Sequence, residues 1–340
     1  MHFGYGLITC QRPPDDPRSG ADLYHDAVER CVAAEGAGFD SVWVSEHHFV
    51  DDGYMPSLLV TAAAIAQATS RVEIGTGILL APLHDPLRVA EDAATVDLIS
   101  NGRLILGLGA GWRSEEFEAS GVGMDERASR VRETVSVLRG AWGPGPFTFA
   151  GKHYSVDNLN VTPKPARPVP IWLGGFAPPA IRRAGRIADG FLGSSTGTSG
   201  LAAFAQAKEL ALAGLEQSGR DRAGFTFALH VPVYTSTTTD PWEEVKPHYA
   251  YLRWKYGDMA GARGSATATG PPPLGAEQEA QLRQTIICGS PAEVAAEIGA
   301  FRDALGDDIH FIFRSDFPGL PSAQQLDLIG RIGSDVLSQL

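Results

Sequence analysis

The chain of 340 residues is poor in cysteine: Cys10, Cys31 and Cys288 share no metal-ligand or redox-motif spacing. An odd count without paired spacing argues against a disulfide framework and reads as reduced thiols in a cytosolic protein. Positive charge is also scarce. Lys and Arg total 28 against 40 Asp and Glu, a formal charge of -12, with no basic run. Such a surface makes a poor partner for nucleic acid or anionic membrane. No apolar stretch approaches the length of a membrane span. The opening residues, Met1-His2-Phe3-Gly4-Tyr5-Gly6, lack the basic-then-apolar pattern of a signal peptide. Core material is abundant: 44% of residues are hydrophobic and 9% aromatic, which argues against disorder.

Those apolar residues fall into alternating short and periodic segments. Phe3 to Ile8 reads as a strand. Ala21 to Ala37 reads as a helix, with Leu23, Ala27, Val28, Cys31 and Ala34 on one face. Strands are predicted at Ser41–Ser45, Val72–Leu80 and Leu104–Leu108, with helices at Leu58–Ala68, Leu87–Ser100 and Arg127–Leu138. The rhythm resumes with strands at Val169–Leu173, Gly190–Leu192, Phe225–Tyr234 and His310–Phe313. Helices come between them, and a last one closes the chain at Leu326–Leu337. Parallel strands need crossovers of this length, and strands as uniformly apolar as Val42-Trp43-Val44 are covered on both faces. About eight such units predict an α/β fold, a (β/α)8 TIM barrel forming one domain over residues 1–340; a doubly wound sheet is the alternative. Insertions fall at about 143–168, with a hairpin near Phe147–Tyr154, and at about 240–279. The second carries an aromatic helix (Tyr249, Tyr251, Trp254, Tyr256) and a loose run at 257–275 that suggests a lid.

Catalytic groups in such a barrel come from the C-terminal ends of strands. That rule selects Glu46, His47 and His48 after the second strand, and Thr76, Gly77 and His84 after the third. It selects the run Gly107-Leu108-Gly109-Ala110-Gly111-Trp112-Arg113 after the fourth, and Gly174, Gly175 and Phe176 after the fifth. Ser194 and Ser195 follow the sixth strand, His230 lies late in the seventh, and Arg314 and Asp316 follow the eighth. Adjacent Glu46, His47 and His48 alternate faces, and no His pair stands at i and i+4, so no metal site is expected. The glycine run fails the dinucleotide fingerprint, because position 112 is Trp where a third glycine is needed. Its glycines suit either close approach of a flat ligand or a tight turn. The prolines after Gly174-Gly175-Phe176-Ala177 open a helix whose free amides suit a phosphate. Arg182, Arg183 and Arg186, further along that helix, are expected to face solvent.

Gly38-Phe39-Asp40-Ser41-Val42-Trp43-Val44-Ser45-Glu46-His47-His48-Phe49 carries a resemblance to a known family. So do Ile74-Gly75-Thr76-Gly77-Ile78, Pro86-Leu87-Arg88-Val89-Ala90-Glu91-Asp92, Gly109-Ala110-Gly111-Trp112-Arg113-Ser114-Glu115-Glu116-Phe117 and Phe317-Pro318-Gly319. The chain resembles the bacterial luciferase-like superfamily of flavin-dependent monooxygenases and oxidoreductases. The resemblance implies a barrel with insertions, often dimeric, with a flavin ring in its mouth and a cis Gly77–Ile78 bond behind the ring. It places catalysis at His47, with His230 matching an active-site histidine of sulfonate-processing relatives. Cofactor contacts are expected from Glu46, Thr76, Gly77, Gly174, Gly175, Phe176, Ala177 and Ser194. Luciferases hold phosphate with an arginine where this chain has Ala110, and Arg113 is expected to compensate. Ala228 replaces a sulfonate-binding arginine, which argues against sulfonates. Arg314 is expected to close the site or bind an anion. The leading expectation is a two-component monooxygenase acting on a small molecule, with FMN reduced by a separate, transiently bound flavin reductase. The alternative is hydride transfer with a deazaflavin; a third reading is a flavin-binding protein without turnover.

Overall fold

A computed structural model describes residues 1–261 and 270–340. In chain order its strands are β1 (His2–Ile8), β2 (Ser41–Val44), β3 (Glu73–Thr76), β4 (Leu79–Leu80), β5 (Leu104–Gly109), β6 (Phe147–Ala150), β7 (Ser155–Leu159), β8 (Ile171–Gly174), β9 (Gly190–Ser194), β10 (Thr226–Thr235), β11 (Ile287–Gly289) and β12 (Ile309–Arg314). Eight of them close a parallel barrel in the order β1-β2-β3-β5-β8-β9-β10-β12, and β12 pairs back onto β1 with Tyr5 beside Phe313. This is the (β/α)8 TIM barrel that the alternation of segments predicts.

The connecting helices are α1 (Gly20–Gly36), α2 (Leu58–Ala68), α3 (Pro86–Ser100), α4 (Ser114–Ala119), α5 (Arg127–Ala141), α6 (Pro178–Ile187), α7 (Leu201–Gln217), α8 (Pro241–Ala260), α9 (Ala276–Arg283), α10 (Pro291–Leu305) and α11 (Ser322–Arg331). Local chemistry sets several of their ends. Ser19 and Asp22 form a capping box on α1, as do Ser290 and Glu293 on α10. Asp85 caps α3, Pro86 fills its first position, and Asn101 ends it in the left-handed conformation. No helix among the described residues is long and apolar enough to cross a membrane.

The fold departs from the periodicity of the sequence in a few places. The strand expected over Val72–Leu80 is split into β3 and β4 at Gly77–Ile78, whose peptide bond is cis. Helices α4 and α9 and strand β11 are too short to show a period, and the residue pattern does not predict them. The aromatic helix runs to Ala260, and residues 262–269 of the expected lid lie outside the described residues.

Two indoles fill the N-terminal half of the barrel. Trp43 and Trp172 stack with centroids 5.2 Å apart, and His310 meets both edge-on at 5.7 and 5.4 Å. Ser41 Oγ accepts the Trp43 indole N–H at 2.8 Å and pairs with His310 Nε2 at 2.7 Å, so the polar atoms of the plug satisfy one another. Leu7, Ile105, Leu192, Ala228 and Ile312 complete this inner cluster. Glycines make room for the rings: a Cβ on Gly75 would lie 2.3 Å from the Trp43 indole, and one on Gly190 2.6 Å from that of Trp172. Gly75→Ala should therefore cost about 1–3 kcal/mol of stability by overpacking, read as a lower urea midpoint with an unchanged m-value.

Candidate functional site at the barrel mouth

With its lower half filled, the barrel leaves a cavity of about 470 Å³ at the C-terminal ends of its strands. A larger cavity, about 770 Å³, opens at the opposite end. Its charged side chains are already paired, Arg139 with Asp189 at 2.9 Å and Arg167 with Glu73 at 3.5 Å. The mouth is different, because buried nitrogens of Arg183, His230 and Arg314 have no hydrogen-bond partner among the described residues.

Two buried carboxylates organise one wall. Glu116, on α4, is fully buried, and its Oε1 accepts the backbone N–H of His48 at 2.9 Å and Nδ1 of His47 at 2.8 Å. An acceptor at Nδ1 puts the His47 proton there and leaves Nε2 as the free lone pair. Tyr54, Trp112 and Tyr256 surround the ring edge-on at 4.9, 5.4 and 6.0 Å, and Tyr54 bonds both Ser45 Oγ and the Tyr256 hydroxyl. Glu46 is the second carboxylate. Its Oε2 accepts the Leu80 amide at 2.8 Å, and its Oε1 receives His48 Nε2 at 2.5 Å and His84 Nε2 at 2.6 Å. Burial opposes its ionisation, but the two imidazoles outweigh burial and hold the carboxyl at about 2. Strand alternation does separate His47 from Glu46 and His48, but it overlooks His84, which arrives from the turn after β4. The ligand atoms of Glu46, His48 and His84 lie within 4.8 Å of one another. The two shortest separations are hydrogen-bond lengths, below the ~3 Å expected between two ligands of one small ion.

The opposite wall is cationic. Arg183 is buried and lines the cavity, with its Nε unpartnered. Burial, then the neighbouring Arg132 and Arg186, lower its proton affinity, and no acid offsets them. The expectation that Arg183 faces solvent is therefore corrected: side chains on a helix lean towards its N-terminus, which carries this one back over the start of α6. Arg127, the first residue of α5, lines the same end. The amides that suit an anion are also relocated. Pro178 and Pro179 have no N–H, and the Ala180 N–H turns back to the Ala177 carbonyl at 2.8 Å. The open amides are those of Gly175, Phe176 and Ala177, just ahead of the helix, which meet no acceptor among the described residues.

Of the residues selected from sequence, Glu46, His47, Gly77, Ala110, Gly174, Gly175, Phe176, Ala177, Ser194, His230 and Arg314 all line this cavity. Two do not. Thr76 is buried and donates to the Gly107 carbonyl at 2.8 Å, tying β3 to β5. Arg113 is committed to Glu115 and to the carbonyls of His48 and Phe49, so it clamps the loop after β2 and does not make up for Ala110. The glycine run also has a packing explanation. A Cβ on Gly107 would lie 2.0 Å from the Thr76 carbonyl oxygen, and one on Gly109 1.6 Å from Ile78. Glu116 and Arg183 belong to the site without being nominated by their positions in the chain. The i+3 spacing of Glu116 from Arg113 carries no signal, because its partner lies 69 residues away.

His230, on β10, is pushed down to about 3 by burial and then by Arg314, and its Nδ1 lacks a partner. It is a neutral hydrogen-bonding group at physiological pH.

Such a barrel, with an imidazole–carboxylate dyad facing an anion cradle across one cavity, is the frame of a cofactor-dependent enzyme. Comparison with known proteins gives the family. The family model of luciferase-like monooxygenases matches residues 1–308, and the chain belongs to this family, whose members are flavin- or F420-dependent oxidoreductases and monooxygenases. It is 30% identical over 325 residues, 91% of each chain, to an F420-dependent glucose-6-phosphate dehydrogenase of Kineococcus radiotolerans. A counterpart from Amycolatopsis mediterranei is 37% identical, over 50% of this chain and 53% of its own length. Among solved structures, monooxygenase RslO1 from Streptomyces bottropensis aligns with a TM-score of 0.84 at 22% identity, covering 99% of both chains.

The two most strongly lowered histidines, His230 and His310 (also about 3, through burial and then His2), favour the neutral form in the fold. Their contribution to stability is present above the unfolded value of 6.5 and is lost as pH falls towards 3. His48 is shifted the other way, since Glu46 outweighs burial; its contribution is complete below 6.5 and offsets little there. Unfolding free energy should thus drop by about 4 kcal/mol from pH 7 to pH 5, about 2 from each histidine, measured by urea titration, and the imidazole resonances of His230 should not titrate in that window.

Proposed function

We propose that the mouth holds a flavin-type cofactor and that the enzyme transfers hydride between an alcohol, or its carbonyl product, and a deazaflavin. The observation that carries this reading is the His47–Glu116 dyad. A bound deazaflavin would accept the hydride (one proton with two electrons) from a CH–OH carbon, and the hydroxyl proton would be left for the protein to take up. His47 lines the cavity with Nδ1 held by Glu116, so Nε2 is the atom that would take that proton, and Glu116 would stabilise the resulting imidazolium. The cofactor supplies the electron-pair acceptor, and the chain's own residues bind, orient and keep the site dry. Gly175, Phe176 and Ala177 offer amides to its phosphate, and Arg183 and Arg127 offer charge. The fit rests on the buried, unpartnered Arg183 Nε beside those open amides. Leu7, Ile78, Leu80, Leu192, Trp112 and Tyr256 give the rest of the lining an apolar character that excludes water from the reacting atoms.

The motifs of the sequence place a reduced-FMN monooxygenase with a separate reductase first. That reading moves to second because the F420-dependent relative spans 91% of both chains, whereas the trigonelline monooxygenase of Acinetobacter baylyi matches 51% of this chain at 31% identity. The apolar wall keeps the monooxygenase as the second reading, since oxygen chemistry also needs a dry site.

Fluorescence titration with F420 and FMN side by side separates the two. Tighter binding of F420, with bleaching of its absorbance by a panel of alcohols, is expected; FMN binding with substrate-dependent oxygen uptake and no F420 binding would reverse the order. Glu116→Gln should lower kcat by about 10²–10⁴ while cofactor affinity stays within about threefold; an unchanged kcat would remove the dyad from the mechanism. Arg183→Met should weaken FMN by roughly 10–100-fold and leave riboflavin, which has no phosphate, unaffected.

A further inference from the structure

Two arginines in the mouth are buried and have no carboxylate partner among the described residues. Arg183 stands at the α6 end, where the phosphate is placed above. Arg314 is a separate case. It ends β12, in register with Pro232 of β10, two residues past His230, and only 8% of it is exposed. The Tyr256 ring lies over its guanidinium, 5.0 Å from ring centroid to Cζ. Its Nε and Nη2 are buried with no hydrogen-bond partner, and it lines the cavity. The acid nearest in sequence, Asp316, is already bound to Arg30 at 3.0 Å and Tyr5 at 3.4 Å. The groups that face Arg314 are the hydroxyls of Tyr54, Tyr249 and Tyr256, and Tyr256 also hydrogen-bonds it. Residues 262–269, outside the described part, contain no Asp or Glu. On the next strand, His230 Nδ1 is also unpartnered.

A buried cation without a counter-ion is destabilising, and so are buried donors without acceptors. No carboxylate among the described residues neutralises Arg314, though its neighbours Asp316 and Arg30 show that the fold pairs such charges nearby. A guanidinium presents parallel N–H groups that match the two oxygens of one carboxylate. We propose that Arg314 is the anchor for a carboxylate on the substrate, seated between Arg314 and His230 on the His47 side of the cavity. The substrate class is then a small hydroxy or oxo acid, whose carboxylate docks on Arg314 while its carbinol or carbonyl group faces His47. This deepens the reading of the mouth as the reaction site and rests on it.

Calorimetric titration of the full chain, with and without saturating FMN or F420, tests the anchor with acetate, butyrate and benzoate, each against its neutral amide. At least one acid should bind about tenfold or more tightly than its amide. Arg314→Gln should erase that preference, Arg314→Lys should keep part of it, and Arg183→Met should leave it intact while weakening FMN. The comparison of acid with amide on the unaltered chain needs no variant to fold. No preference for any acid, or a preference lost in Arg183→Met and kept in Arg314→Gln, would overturn the proposal. Failure of both flavins to bind while the carboxylate preference persists would instead count against the cofactor reading alone.

Discussion

The stacked indoles of Trp43 and Trp172 are the constraint on which the rest of this molecule depends. An eight-strand barrel has an interior just wide enough for side chains to fill. Here the filling is uneven: two of the largest side chains and His310 occupy the N-terminal half. Glycines on β1, β3 and β9 yield the space those rings need. At the other end, Gly77 and Gly174, with Ala110 just past β5, surround a cavity instead of a core. Close packing below and small residues above place Glu46, His47, Ser194, His230 and Arg314 around one void.

Charge is arranged across that void by burial. Glu46 and Glu116 sit on the wall built by β2 and α4; Glu46 uses both oxygens on histidines and an amide, and Glu116 uses Oε1 on His47 and the His48 amide while its Oε2 has no partner among the described residues. Arg113 adds a clamp on the carbonyls of the loop after β2. The carboxylates thereby fix the rotamer and tautomer of His47 in advance of any ligand, which is how a proton acceptor is preorganised. Arg183 and Arg314 are left without such partners. Carboxylates held by histidines, beside guanidinium groups with no carboxylate among the described residues, make a site suited to anions, although the chain as a whole carries a net negative charge.

Much of this is legible in the order of residues alone. Strand and helix alternation predicts the barrel because parallel strands demand crossovers, and the strand ends then nominate Glu46, His47, Gly174, His230 and Arg314 for the mouth. Thr76 and Arg113 are nominated by the same rule and go elsewhere. A position at a strand end does not say which way a side chain turns: Thr76 turns to the Gly107 carbonyl and Arg113 to the β2 loop. Arg183 is misplaced for a related reason. Its distance along α6 suggests solvent, but the lean of helical side chains carries it back over the helix start. The same limits hide Glu116, whose short helix α4 has too few residues to show a period.

The barrel, its covered strands, the catalytic end and the polar run at Glu46-His47-His48 are set by the chain's own pattern, because they follow from local periodicity and from the chemistry of adjacent residues. Folding in three dimensions alone settles which imidazole meets which carboxylate, that His84 joins Glu46 across 38 positions, and that Arg183 and Arg314 stay unpaired. Those are long-range pairings inside a low-dielectric cavity. Their energies depend on distance and burial, and neither quantity is written in the order of residues along the chain.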